Sequence, residues 1–206
     1  MGKVVKKIVL TGGPGAGKSS SLDLIKNYLK ELGYFILVVN ESATELINSG
    51  IKPFGVNKLS MFNFQDVILN YQLEKEKIIE NTAKNFIEDD VIIIYDRGLL
   101  DNKAYIGQEE FDKLLEKYNL KEINLLNRYD LVICLETGAK SKYYRTDNNS
   151  ARSESKEEAI KMDNKTFEAW KNHNNLFRVK CFEDFCDKQN EIIKIIDIAL
   201  NKNSIK

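Results

Sequence analysis

The sequence predicts an α/β fold, a five-stranded, mostly parallel sheet flanked by helices, and three observations carry that prediction. The stretch Gly12-Gly13-Pro14-Gly15-Ala16-Gly17-Lys18-Ser19 has the spacing G-x-x-x-x-G-K-[ST] and follows the apolar run Ile8-Val9-Leu10. Four more apolar runs of strand length recur down the chain with helical sequence between them. Nearly continuous apolar strands suit a sheet covered on both faces, and strands alternating with helices give parallel pairs with right-handed crossovers. At 206 residues the chain is long enough to bury one core without staples, so residues 1–206 read as a single domain.

The first strand is expected over residues 4–11 and the first helix over 17–32, with Gly33 as its stop. A second strand over 34–39 closes at Asn40-Glu41-Ser42. Residues 51–58, with Pro53 and Gly55, read as a loop. Ser60 opens a long helix on which Phe64, Val67, Ile68, Tyr71, Ile78, Ile79, Phe86 and Ile87 recur at helical spacing. A third strand over 91–95 ends in Asp96-Arg97-Gly98. Helical sequence over 108–127, with breaks at Asn119 and Asn124, leads to a fourth strand over 129–135. A polar stretch over 136–149 precedes a helix near 153–171, where Ser155 and Glu158 have capping-box spacing. A fifth strand at 176–179 and a helix at 191–200 complete the pattern.

Lysine plus arginine equals aspartate plus glutamate, at 31 each, so no excess positive charge marks a nucleic-acid or anionic-lipid partner. Cys134, Cys181, Cys186 and the single His173 have no metal-ligand spacing, and free thiols are the plain reading. No apolar run approaches the ~18 residues of a membrane span, and no signal-peptide pattern precedes the glycine loop. A soluble, cytoplasmic protein is the expectation.

The glycine loop is the chemical centre. Backbone N–H groups at the positive end of a following helix cradle phosphates, and glycines let the chain approach them closely. Gly13, Pro14, Gly15, Ala16, Gly17, Lys18, Ser19 and Ser20 are therefore the expected nucleotide-binding set. Lys18 would reach the β and γ phosphates of ATP or GTP, Ser20 the α phosphate, and Ser19 would offer its hydroxyl to Mg²⁺. Asp96, closing an apolar strand downstream, is the second candidate for Mg²⁺.

Ligands in open α/β sheets bind beyond the carboxyl ends of the strands. Glu41, Asp96, Arg97 and Glu136 belong to that edge. Arg128 and Asp130 belong to the opposite one, which makes Arg128 structural. Arg97 is a candidate to orient phosphates, and Glu41 either accepts a proton from an acceptor hydroxyl or caps a helix. Phe64 and Gln65 are candidates for the acceptor side, Phe64 also reading as core. The polar segment, about 137–172, is a candidate lid carrying Arg145 and Arg152 as catalytic arginines, with Tyr143 and Tyr144 either stacking a base or packing. His173 reads as a helix-end residue, with no nucleophile motif beside it.

Together, Leu10 through Ser19, Glu41-Ser42-Ala43, Phe64-Gln65, Tyr95 through Gly98 and Arg128 through Val132 resemble the AAA-type P-loop domain related to the nicotinamide-riboside kinase domain of NadR. The downstream set Tyr144, Ala151 through Glu154, Ala159, Asp163, Ala169-Trp170 and His173 resembles the TRPL-translocation-defect proteins more closely. The resemblance implies a kinase-like P-loop NTPase fold, binding of ATP or GTP with Mg²⁺, and the roles given above to Lys18, Ser19, Asp96, Arg97 and Arg152. Asn174 stands where the family pattern has proline after the histidine. Two functions stay open: a kinase moving the γ-phosphate to a small, nucleoside-like acceptor, and a regulatory switch that hydrolyses slowly. No Asn-Lys-x-Asp guanine-selecting motif is present, which disfavours a Ras-like switch.

Overall fold

The computed structural model describes residues 4–86, 90–140 and 155–201. Five parallel strands form one sheet: β1 (Val5–Gly12), β2 (Phe35–Val39), β3 (Val91–Asp96), β4 (Leu131–Leu135) and β5 (Leu176–Val179), in the order β2-β3-β1-β4-β5. All of their carboxyl ends therefore lie along one edge. The register sets Leu10 of β1 against Asp96 of β3, and Gly12 against Leu135 of β4.

Among the described residues seven helices accompany the sheet: α1 (Lys18–Glu31), α2 (Ser42–Asn48), α3 (Met61–Asn85), α4 (Asp101–Lys117), α5 (Glu122–Leu126), α6 (Lys156–Trp170) and α7 (Phe185–Asn201). Side-chain alternation on the strands feeds two cores, one per face. Val9, Val91, Ile93 and Tyr95 pack with Leu69, Phe111, Leu114 and Trp170, from α3, α4 and α6. Ile8, Leu10, Ile92, Ile94 and Ile133 pack with Ile25 and Leu29 of α1 and with Ile192 and Ile196 of α7.

Local sequence explains several helix ends. Ser60 accepts from Asn63 N–H at 3.1 Å to open α3, and Ser155 and Glu158 form the expected capping box of α6. Gly33 takes φ 88° after α1, where a left-handed residue ends a helix most easily.

Glu41-Ser42 opens α2, the helix start that the sequence left as one of two alternatives. Three expectations shift. α4 begins at Asp101, not at residue 108, and bends at Gly107, whose φ of 82° and ψ of 173° made the approach read as loop. Asn119, with φ 52°, does end a helix, but Asn124 lies inside α5. α7 begins at Phe185, six residues before the expected 191, helped by Asp184, whose carboxylate accepts from Cys186 N–H at 2.8 Å.

The segment 137–172, expected as a lid, divides. Gly138–Lys140 form a short 3-10 turn, and α6 buries Ala159, Asp163, Thr166 and Trp170 completely, so both are parts of the body. A helix fixed through four buried side chains on two successive turns and more cannot swing as a flap without opening the core. Residues 141–154, with Tyr143, Tyr144, Arg145 and Arg152, lie outside the described residues.

Candidate active site

The site is built at the carboxyl ends of β1, β2 and β3. β1 delivers the glycine loop, and Gly17, at φ 78°, turns directly into α1. Pro14 has no N–H. Gly13 N–H donates to Asp163 Oδ1 at 3.3 Å and Ala16 N–H to Gly13 O at 3.2 Å. Gly15, Gly17, Lys18, Ser19 and Ser20 keep N–H groups with no protein acceptor among the described residues. Within the expected nucleotide-binding set, Gly13, Pro14 and Ala16 thus shape the loop, and the other five offer free N–H groups of the kind that can hold a phosphate.

Two buried side chains that the sequence reading did not place brace this loop. Asp163 of α6 has no solvent exposure. Its Oδ1 also accepts from Thr137 N–H at 2.9 Å, and its Oδ2 from Arg178 Nη2 at 2.8 Å, with Lys140 Nζ at 3.1 Å. A Cβ on Gly13 would stand 2.7 Å from Asp163 Cβ, so only glycine admits this approach. Lys188 of α7 donates to the carbonyls of Ala16 at 2.9 Å and Glu136 at 3.0 Å, and burial pushes its ammonium down. Asp163 stood in the family pattern without a role. Lys188 was hidden because an isolated lysine on an amphipathic helix reads as solvated.

Arg97 ends the third strand in the left-handed region, at φ 69°. Its Nε donates to Glu41 Oε1 at 2.5 Å, and its Nη1 to Gly12 O and Asp101 Oδ1, both at 3.3 Å. Asp101, also unforeseen, is a buried hub: it accepts from Thr11 Oγ1, from Gly98 N–H at 2.8 Å and from Trp170 Nε1 at 3.3 Å. A Cβ on Gly98 would stand 2.7 Å from the Trp170 ring, which fixes glycine there.

Glu41 precedes α2, but its carboxylate takes no backbone N–H of that helix. It accepts instead from Arg97 and from Thr44 Oγ1 at 2.5 Å. Lys75 of α3 holds this corner, donating to Asn40 O at 2.8 Å and to Glu45 Oε2 at 2.6 Å. Burial pushes the Glu41 carboxyl up, yet Arg97, Thr44 and Lys18 outweigh it and the net shift is downward. Burial, with Arg97 adding to it, lowers Lys18 to about 8 against the raising effect of Glu41, Asp96 and Asp101.

Asp96 fits a divalent cation. Its Oδ1 is buried without a hydrogen-bond partner among the described residues, and burial together with Glu41 and Asp101 pushes its carboxyl up against Lys18 and Arg97. A carboxylate left in that condition gains from a hard cation held through water, with Ser19, exposed in the first turn of α1, as the second oxygen donor.

Beside Arg97 lies a cavity of about 300 Å³, lined among others by Glu41, Phe64, Gln65, Asp101, Asn102 and Tyr105. Phe64 is buried against Leu46 and Ile68 and lines the cavity as well. Gln65 is also buried, its Nε2 donating to Met61 Sδ at 3.7 Å. The structure thus brings Lys18, Glu41, Asp96 and Arg97 together beside the cavity that Phe64 and Gln65 line. Arg128 sits away from it, donating to Glu76 at 3.1 Å and Glu80 at 2.9 Å, as its position before a strand predicted. His173 Nε2 donates to Tyr129 O at 2.9 Å and its Nδ1 accepts from Asn175 N–H, so both ring nitrogens serve the turn after α6.

The sheet order, the glycine loop and the carboxylate that ends β3 define a P-loop protein of the kinase-like α/β type. Residues 7–181 match the AAA domain family, and the chain belongs to it. Among individual proteins it is similar to the thymidylate kinase of Mycoplasma capricolum, at 23% identity over 205 residues, covering 95% of this chain and 96% of that one. It is also similar to the thymidylate kinases of Mesoplasma florum, at 28% identity, and Clavibacter sepedonicus, at 23%. Those two matches span about half of each relative, 48% and 54% of its length. The fold is that of a crystal structure of thymidylate kinase from Ehrlichia chaffeensis, with a TM-score of 0.62 and 16% identity, over 94% of this chain and 99% of that one.

Proposed function

We propose that the protein is a Mg²⁺-dependent kinase that moves the γ-phosphate of ATP or GTP to a hydroxyl of a small, nucleoside-like acceptor. The observation that carries this reading is the Glu41–Arg97–Asp101 cluster at the cavity beside the phosphate loop. Its single guanidinium already faces two carboxylates and a carbonyl, so a phosphate dianion entering there meets net negative charge. A hydroxyl finds a carboxylate ready to accept its hydrogen bond. The resemblance to a nicotinamide-riboside kinase domain points the same way, toward an unphosphorylated acceptor.

The reading assigns the donor phosphates to the loop N–H groups and Lys18. Ser19 and Asp96 would hold Mg²⁺, which when bound would supply charge neutralisation to the donor phosphates. Glu41 orients the acceptor hydroxyl and takes its proton. Its lowered pKa makes it a weak base, which suits a loose transition state in which the proton leaves late. Phe64 and Gln65 bind the acceptor's body. Arg145 and Arg152 bring charge to the transferring phosphoryl group.

The similarity to thymidylate kinases favours a second reading, a nucleoside monophosphate as acceptor. Labelled γ-phosphate transfer from ATP and GTP to nucleosides and to nucleoside monophosphates, with and without Mg²⁺, separates the two. Transfer to a nucleoside supports the proposal. Transfer to monophosphates alone supports the second reading, and tight triphosphate binding with only slow hydrolysis supports a regulatory switch.

A further inference from the structure

Glu76 lies in the middle of α3 with no solvent exposure. Three groups donate to it: Gln72 Nε2 at 3.0 Å, the Tyr129 hydroxyl at 2.9 Å and Arg128 Nε at 3.1 Å. Burial pushes its carboxyl up to about 7, even with Arg128 and the hydrogen bonds opposing. Hydrophobic side chains of similar volume commonly serve stability as well as a buried ion pair does, so stability is a poor account of this one.

The far ends of two of those donors meet in one place. The second N–H of the Gln72 amide goes to the carbonyl of Arg97 at 3.2 Å. The Tyr129 hydroxyl accepts from the N–H of Leu99 at 3.1 Å. Glu76 therefore orients the two groups that bracket the three-residue turn Arg97-Gly98-Leu99. That turn needs holding. Arg97 is at φ 69°, a conformation that costs a residue with a Cβ roughly 1 kcal/mol or more, and its own N–H is tied to Leu10 O at 3.0 Å.

We propose that Glu76 is a positioning residue for phosphoryl transfer: through Gln72 and Tyr129 it fixes the left-handed turn that aims Arg97 at Glu41 and the phosphate loop. The proposal rests on the kinase reading of that site. Glu76 touches no substrate. It acts from the interior, through two neutral side chains, on the main chain of a residue that does.

The test uses Glu76→Gln, Gln72→Leu and Tyr129→Phe, each alone and each combined with Arg97→Ala. Transfer of labelled phosphate from ATP to thymidine, adenosine and nicotinamide riboside gives kcat, and ATP affinity and thermal melting are measured separately. A small misplacement of a reacting group can cost about 10²-fold, so each single variant should lose kcat on that scale while its ATP affinity stays within about twofold. In the Arg97→Ala background the same changes should add nothing, because the residue they act through is gone. Wild-type kcat in a folded Gln72→Leu variant overturns the proposal, as do losses that multiply with Arg97→Ala, the pattern of a merely structural residue. Should Glu76→Gln fail to fold, Gln72→Leu and Tyr129→Phe decide, since both leave the Glu76–Arg128 pair in place. Wild-type protein that transfers neither to these nucleosides nor to a nucleoside monophosphate overturns the kinase reading and the proposal together, and if only a monophosphate is accepted the same variants are compared on it.

Discussion

Arg97 Nε donates to Glu41 Oε1 at 2.5 Å, tying the end of β3 to the residue that follows β2. The guanidinium cannot leave Glu41 without giving up the charge partner of a carboxylate that Thr44 also holds, nor leave Asp101 without removing the counter-charge of a carboxylate that is 3% exposed. It is thereby set before any ligand arrives, which is the condition for electrostatic work in a transition state.

Lys18 should take up protons when a triphosphate binds. Its folded value of about 8 lies below the unfolded 10.5, so between those pH values the folded chain binds fewer protons. Its charge therefore opposes folding at neutral pH, and the opposition is relieved as pH rises through that window. Bound phosphates restore the ammonium. At pH 8 about half of the free protein carries neutral Lys18, so ATP binding should take up about half a proton. Calorimetric titration in two buffers of different ionisation enthalpy reads the uptake, and heats independent of buffer would show that Lys18 does not meet the phosphates.

Metal dependence should separate Ser19 from the rest of the loop. Ser19→Ala is expected to weaken ATP binding in Mg²⁺ while leaving binding in EDTA close to wild type. Asp96→Asn should do the same, since its orphaned oxygen is the other proposed donor. Equal loss in both media would remove Ser19 and Asp96 from the metal site.

Asp163→Ala should cost stability and loosen the loop. It leaves Arg178 and Lys140 with Glu136 as their remaining shared carboxylate, so the loss should fall below the ~3 kcal/mol that breaking a fully buried pair costs. Gly13 N–H is also freed. Denaturant melts should show the loss, and ATP affinity should fall with it. Unchanged ATP affinity in a destabilised variant would confine Asp163 to the fold.

Where chemistry follows from spacing, the sequence was readable. The glycine loop, the strand ending at Asp96 and the Ser155–Glu158 capping box are local patterns, and each forms where its spacing put it. Asp101, Asp163, Glu76 and Lys188 were not readable. Each is a charged residue on a helix, and only the tertiary packing of α3, α4, α6 and α7 turns it inward onto a loop far away in sequence. The start of α4 was missed because Gly107 breaks its pattern after two turns. Glu41 left two readings open in the sequence, and its neighbour Arg97, fifty-six positions away, is what draws the carboxylate off the helix end.

The most direct measurement is the rate of γ-phosphate transfer to a nucleoside acceptor by Glu41→Gln beside wild type, with ATP affinity measured separately. Glutamine keeps the volume and a hydrogen bond to the acceptor but cannot take its proton. A positioned base is worth about 10²–10⁴-fold, so turnover should fall by a factor in that range while ATP affinity barely moves. Transfer at the wild-type rate in Glu41→Gln would contradict the assignment of this cavity as the acceptor site.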